Sequence, residues 1–177
     1  MLFRSDSVAA ALQVMCLLGQ RLDAGHVAPV LANLELPGRC QRVHWRNLDV
    51  WLDVAHNPAA VAYLALRLSQ SDTPVATAAV FAAMSDKDIR GMIAPVLGLV
   101  DYWYACALPG VARAAGSDVI HAALNAEAAL DAQSSADVGS ALEDAALRLG
   151  AGGRIVVFGS FFTVAAALTA LTADADA

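Results

Sequence analysis

From residue 50 onward, short apolar runs rich in β-branched and aromatic residues alternate with longer stretches of helical spacing, and this alternation limits the folds open to the chain. Residues 75–82 and the run Arg154-Ile155-Val156-Val157-Phe158 are apolar almost throughout, without an in–out alternation. Such strands suit a sheet covered on both faces. The spacing predicts strands over 75–82, 102–105 and 154–158, with a short strand near 129–132. It predicts helices over 58–69, 88–98, 117–124, 136–149 and 161–172, with a frayed tail from 172 to 177. Strands alternating with helices in this way build βαβ units and a buried parallel sheet. Ahead of them, 39–45 and 50–55 read as two strands joined by Arg46-Asn47-Leu48-Asp49, a spacing that suits a hairpin. The expected class is α/β, a Rossmann-like, mostly parallel sheet with an N-terminal antiparallel hairpin and flanking helices.

The first segment is different. Residues 6–18 read as a helix capped by Asp6 or Ser7, and 26–34 as a second short helix. Leu36-Pro37-Gly38 then breaks the pattern and marks a domain boundary. Residues 1–36 are too few to fold alone, whereas 39–177 are enough for a core of their own.

Composition removes several classes of function. At 58% hydrophobic and 16% charged, the chain is too apolar for a disordered protein. A net charge of −6 argues against nucleic-acid binding, so any anionic ligand must be held by a few local groups. No apolar stretch reaches the roughly 18–20 residues of a membrane span. Residues 8–18 follow Arg4 as a signal peptide's apolar region would, but Asp6 interrupts them and no cleavage site follows promptly. Cys16, Cys40 and Cys106 lie far apart, giving neither a zinc spacing nor an even disulfide set, and the histidines add no metal spacing. The odd count fits a reducing, cytoplasmic setting. Lys87 is the only lysine and stands in Ser85-Asp86-Lys87-Asp88, so the chain has no phosphate-binding P-loop. It has no Gly-x-Gly-x-x-Gly either, and Gly150-Ala151-Gly152-Gly153 precedes a strand where a turn belongs.

In an open α/β sheet, ligands sit beyond the carboxyl ends of the strands, so three strand-to-helix turns matter most. In Asp53-Val54-Ala55-His56-Asn57-Pro58, Asn57 is the N-cap and Pro58 the first helical residue, which places Asp53 and His56 near a helix N-terminus that favours an anion. Asp53 could hold a ribose hydroxyl or, through water, a magnesium ion, and His56 could serve a carboxylate or an amine proton. The competing reading is a capped helix with an incidental histidine. In Phe158-Gly159-Ser160-Phe161-Phe162-Thr163, Gly159 allows a tight turn and Ser160 caps the next helix. Ser160 is either a polar-ligand contact or only a cap; a hydrolase's Gly-x-Ser-x-Gly is absent. In the third turn, Lys87 either neutralises an anion or belongs to a solvated acidic helix start. Arg39, just past the boundary, could reach across an interdomain cleft, and Arg113 lies in a loop; each is otherwise a surface arginine. Trp45, Trp51 and Trp103 read as packing residues on strands.

Taken in order, Pro37-Gly38-Arg39-x-Gln41, Asp53-Val54-Ala55-His56-Asn57-Pro58, Asp86-Lys87-Asp88 and Gly159-Ser160-Phe161-x-Thr163-Val164 resemble the C-terminal part of the bifunctional dihydrofolate synthase/folylpolyglutamate synthase family, within the Mur ligase superfamily. The resemblance covers nearly the whole chain. It implies that 1–36 are the last helices of a central ATPase domain and 39–177 a Mur ligase C-terminal domain. It implies an enzyme that uses ATP and magnesium to activate a carboxylate of dihydropteroate or folate, which the amine of L-glutamate then attacks. Residue by residue, Arg39 would contact ATP phosphates, Asp53 the nucleotide, and His56 (as the catalytic candidate) and Ser160 the incoming glutamate, with Lys87 adding charge there. An arginine of the family's loop is matched by Arg113. The asparagine that touches the nucleotide in the family's central domain is matched by Ser7.

Departures are informative. The turn before Asp86 carries Ala82-Ala83 where the family has a glycine, and the hairpin before Asp53 is one residue longer. Residues 1–5 match nothing in the family, and the P-loop, the magnesium ligands and the pterin site would all lie upstream. The expectation is a chain whose ATP and Mg²⁺ are mainly held by a missing N-terminal ATPase domain, and which does not catalyse alone. A competing reading from another class is a stand-alone, non-catalytic α/β module that binds a small acidic metabolite or a partner protein. A Rossmann-type redox enzyme is disfavoured by the missing dinucleotide fingerprint.

Overall fold

A computed structural model describes residues 5–32, 36–128 and 131–175. Two helices come first, α1 (Ser5–Leu17) and α2 (Ala24–Ala32). A hairpin follows, β1 (Gln41–Trp45) and β2 (Leu48–Asp53), then α3 (Pro58–Ser69) and β3 (Thr77–Phe81). Next come α4 (Ile89–Ile93), continued by a 3₁₀ segment (Ala94–Leu99), β4 (Tyr102–Cys106) and α5 (Ser117–Ala128). The chain ends with β5 (Ala132–Ser135), α6 (Val138–Leu149), β6 (Arg154–Phe158) and α7 (Phe161–Ala175).

The strands form one six-stranded sheet in the order β1-β2-β6-β3-β4-β5. Only the β1–β2 pair is antiparallel; β2, β6, β3, β4 and β5 run parallel. Successive residues of each strand feed opposite cores. Trp51, Val156, Phe158, Phe81 and Trp103 face α3, α4 and α5, while Leu52, Ile155, Val157, Val80 and Tyr104 face α6 and α7. All ten are buried. Covering both faces explains why these strands read as apolar runs.

Several boundaries differ from the expectation, for physical reasons. β1 starts at Gln41 and not at 39, because Arg39 and Cys40 belong to a turn in which Cys40 has a φ of 46°. The hairpin loop is two residues, not four: Arg46 and Asn47 have φ of 49° and 62°, the left-handed pair that matches strand twist. α1 begins at Ser5, so Asp6 and Ser7 lie inside it and neither caps it. α2 starts two residues earlier than expected, because Asp23 accepts the Gly25 amide at 3.0 Å. The end of that helix as expected, 33–34, lies outside the described residues. The helix expected over 88–98 changes to a 3₁₀ segment at Ala94, where Pro95 lacks the amide an α-helix would need. The short strand expected near 129–132 is found at Ala132–Ser135, with 129–130 outside the described residues. Helix α7 continues through the stretch expected to fray, as far as Ala175.

Helices α1 and α2 make no extensive contact with the sheet or its covering helices. They face one another across a groove of about 460 Å³ lined by apolar side chains such as Val8, Leu12, Met15, Val27 and Leu31. Among the described residues, no helix is long and apolar enough to cross a membrane.

Candidate functional site

The site is built from strand register. Asp53, Phe158 and Phe81 end β2, β6 and β3 at the same level, each paired in register with the next. The turns after them therefore form one rim: 54–57, 159–160 and 82–88. This is the carboxyl edge, and the first two turns lead into α3 and α7.

Close approach of the turns depends on two glycines. Gly159 has a φ of 115°, and a Cβ there would lie 2.3 Å from the Ala82 carbonyl oxygen and 2.7 Å from the Phe81 ring. Gly38 has a φ of 68°, and a Cβ would lie 2.9 Å from Val54 Cγ1. Glycine thus lets the Arg39 turn settle onto the 54–57 turn. The Val54 amide donates to the Gly38 carbonyl at 2.8 Å, and Gln41 Oε1 accepts the Gly38 amide at 2.8 Å.

Asp53 is buried at the junction. Its Oδ2 accepts the Cys40 amide at 2.9 Å and the Cys40 thiol at 3.2 Å, and its Oδ1 accepts the Ala55 amide at 2.8 Å. The carboxylate is thus largely consumed within the protein. Burial first, and then the Asp53 charge beside it, push the Cys40 thiol up to about 12.

His56 is half-buried. Its Nδ1–H donates to the Val54 carbonyl at 2.9 Å, which leaves Nε2 for a ligand. Asn57 Oδ1 accepts the Ala60 amide at 2.9 Å and Pro58 fills the first helical position, the cap read from the sequence.

Ser160 is buried, and its Oγ accepts the Thr163 amide at 3.0 Å. Thr163 Oγ1 donates to the Ala82 carbonyl at 2.8 Å, so in the 2.6 Å contact between the two hydroxyls Ser160 is the donor. Its proton is committed, and what remains for a ligand is one acceptor lone pair. That suits an ammonium better than a carboxylate.

Arg39 is exposed, with its guanidinium 5.8 Å from the Phe161 ring centre. The His56 ring lies 5.9 Å from the same Phe161 ring, tilted by 41°. Arg39, His56 and Phe161, from three different turns, therefore share one surface. Sequence reasoning quoted Phe161 and Thr163 only as parts of a motif. The available signal was a large apolar side chain immediately after a helix cap, at a strand's carboxyl end.

Lys87 and Arg113 are brought together elsewhere. Asp86 takes Lys87 Nζ at 3.1 Å and Arg113 Nη2 at 3.1 Å, and these two partners hold its carboxyl below the ordinary value. Asp88 Oδ1 accepts the Gly91 amide at 2.9 Å and caps α4. This loop borders the start of α3, since a Cβ on Gly91 would meet Pro58 at 2.9 Å. Among the described residues, no hydrogen bond or ring contact joins Lys87 to Arg39, His56 or Ser160. Ser7 lies on α1 at the apolar groove, and none of the described contacts joins it to the rim. The described residues contain no group of three His, Cys, Asp or Glu side chains that could hold a metal ion.

A doubly covered, largely parallel sheet with an exposed arginine, a histidine and two helix N-termini on its carboxyl edge defines an α/β domain suited to small anionic ligands. The chain belongs to the family described as Mur ligase, glutamate ligase domain, which matches residues 38–161. It is 31% identical over 159 residues to the dihydrofolate synthase/folylpolyglutamate synthase of Escherichia coli, covering 90% of this chain and 36% of that protein. Escherichia coli FolC in complex with DHPP and ADP superposes with a TM-score of 0.86 at 30% identity, covering 98% of this chain and 40% of that one. A bifunctional folylpolyglutamate synthase/dihydrofolate synthase with Mn, AMPPNP and L-glutamate bound gives a TM-score of 0.81 at 35% identity, covering 93% and 38%. The chain thus spans little more than a third of the length of these relatives. The mostly parallel sheet with its leading hairpin, expected from the sequence, is the fold observed.

Proposed function

We propose that this chain is the glutamate- and nucleotide-facing C-terminal part of an ATP-dependent ligase that adds L-glutamate to dihydropteroate or folate. Residues 1–36 would then be the end of a central ATPase domain and 39–177 the Mur ligase C-terminal domain. The observation that carries the reading is the convergence of Arg39, His56 and Ser160 on one carboxyl rim, with the Arg39 guanidinium free of any carboxylate partner among the described residues. Support comes from the relatives, which are described as synthases of this class, one of them with L-glutamate bound.

In the reaction, a substrate carboxylate attacks the γ-phosphorus of ATP and ADP leaves. The glutamate amine then attacks the acyl carbon, phosphate leaves, and the amine gives up its proton. Arg39 is assigned to the ATP phosphates and Asp53 to the nucleotide side of the rim, where Oδ1 keeps one free lone pair. His56 Nε2 and the Ser160 lone pair are assigned to glutamate, the latter accepting a hydrogen bond from its amino group. Lys87 is assigned a more distant electrostatic role, since Asp86 already pairs with it. Ser7 would meet the nucleotide only once a central domain is in place. Magnesium neutralises phosphate charge in such chemistry, but the described residues do not fit it, and no step here runs through it. Its ligands and the P-loop are assigned to a central ATPase domain, as is the partner surface for the α1–α2 groove.

The test is an assay with ATP, magnesium, L-glutamate and dihydropteroate on the purified chain and on a chimera carrying the upstream part of the Escherichia coli relative ahead of residue 38. The chimera should form the amide and the chain alone should not. In the chimera, Arg39→Ala should lower turnover roughly ten- to a hundredfold, the loss of a charge-assisted phosphate contact. His56→Ala should raise KM for glutamate more than KM for ATP. Product from the chain alone would overturn the placement of the ATP site. A folded chimera that binds glutamate without ligating would favour a non-catalytic binding module.

A further inference from the structure

We propose that Phe161 is a positioning residue: its ring holds the Arg39 guanidinium and the His56 imidazole on one surface, so that the phosphate assigned to Arg39 and the glutamate assigned to His56 are met side by side. The ligand half of this statement rests on the function proposed above; the positioning half does not.

Phe161 is 58% exposed although it is the first residue of α7 and sits at the end of a fully buried strand. An exposed phenylalanine contributes little to the core, yet this one has specific neighbours. The Arg39 guanidinium lies over its ring at 5.8 Å, inside the range of a cation–π contact. The His56 ring leans on it at 5.9 Å. The adjacent Phe162 is equally exposed at 55%, but makes no ring or cation contact among the described residues.

Arg42, Arg46, Arg90, Arg113, Arg148 and Arg154 each take a carboxylate partner. Arg39, Arg21 and Arg67 show none among the described residues, and of these three Arg39 is the one seated over an aromatic ring. A long side chain without an ion-pair partner would otherwise sample many rotamers and lose that freedom on binding. The ring restricts it beforehand while leaving its donors unspent. His56 is fixed from behind by its bond to the Val54 carbonyl, so its Nε2 stays turned to the surface it shares with the Arg39 donors.

The test is NMR of the 177-residue chain, following Arg39 Nε–Hε and His56 Cδ2–Hδ2 in the wild type, Phe161→Leu, Phe161→Tyr and Phe162→Leu. Without ligand, both probes should show ring-current displacement that is lost in Phe161→Leu, kept in Phe161→Tyr and untouched in Phe162→Leu. Arg39 Nε should become more mobile only in Phe161→Leu. Inorganic phosphate and L-glutamate are then titrated separately. Phosphate should move the Arg39 probe and L-glutamate the His56 probe, each with a Kd weakened roughly two- to fivefold in Phe161→Leu. Unchanged shifts and mobility in Phe161→Leu would overturn the role of Phe161, whatever binds. Ring signatures that behave as expected, with neither anion moving the probes, would instead overturn the anion-site reading and leave the positioning role standing.

Discussion

Asp53 Oδ2 accepts both the amide and the thiol of Cys40, at 2.9 and 3.2 Å, while the other oxygen of the same carboxylate takes the Ala55 amide. One side chain thus ties the turn carrying Arg39 to the turn carrying His56. Asp53→Asn cannot reproduce this, because an amide nitrogen would face either the Cys40 donors or the Ala55 amide. It should cost about 1–3 kcal/mol in urea unfolding, the penalty of an unsatisfied buried donor. A midpoint unchanged from wild type would mean that the tie adds nothing to stability.

Gly159→Ala should be far more damaging. The new Cβ would collide with the Ala82 carbonyl at 2.3 Å in a backbone conformation that L-residues avoid. A loss of about 3 kcal/mol or more is expected. Gly110→Ala is the control, since Gly110 also has a positive φ, 79°, but open space around it, and should cost only about 1 kcal/mol. Thermal melts of the two variants should differ accordingly, and similar melting points would contradict the packing described.

Acid stability should depend on Asp49. Burial alone would raise its carboxyl, but hydrogen bonds from Arg42 (3.1 and 3.0 Å) and Trp51 (2.7 Å) hold it below the ordinary value. A depressed carboxyl stabilises the fold above its unfolded pKa, and the gain is lost as pH falls through the folded value. Asp49→Asn should therefore cost about 1–2 kcal/mol at neutral pH and progressively less in acid. Urea midpoints of wild type and variant that stay equally far apart at both pH values would refute the linkage.

At high pH the buried thiols should dominate. Burial pushes Cys40 and Cys106 each up to about 12 from an ordinary 9.0. A raised thiol stabilises fully below the unfolded value, and that contribution disappears as pH rises from 9 towards 12, at up to ~1.4 kcal/mol per pH unit per thiol. Cys106→Ala should flatten this decline. In the native chain at neutral pH only the exposed Cys16 should react with a thiol reagent, and all three after unfolding. Fast native labelling of Cys40 would show that its turn opens.

The parallel sheet was legible because strands covered on both faces leave an apolar run, as in Arg154–Phe158, that no other arrangement in a small chain accounts for. Caps were equally readable at Asn57-Pro58, where cap and first-turn residue types coincide. What sequence did not reveal depends on contacts far apart along the chain. Cys40 reads as a strand residue until Asp53, thirteen positions on, captures its amide and thiol. Lys87 reads as an isolated cation until Asp86 is seen to pair with both it and Arg113 in a surface cluster. Phe161 carries no polar group, so no motif for binding singles it out; its contact with both Arg39 and His56 exists only in three dimensions. The break at Pro95, by contrast, was readable from proline's missing amide but was outweighed by the apolar spacing around it.

β6, the last of the described strands in chain order, lies between β2 and β3. Until it arrives, β2 and β3 have no common neighbour, and the order of synthesis and the order of assembly disagree. The leading hairpin and the β3–β4–β5 half must wait as separate pieces with bare edges. Their joining and the delivery of Gly159 and Ser160 to the rim are then the same event. A nascent chain stopped before residue 154 would therefore hold the 54–57 and 82–88 turns on separate pieces, so a correctly formed rim reports that synthesis has passed residue 160.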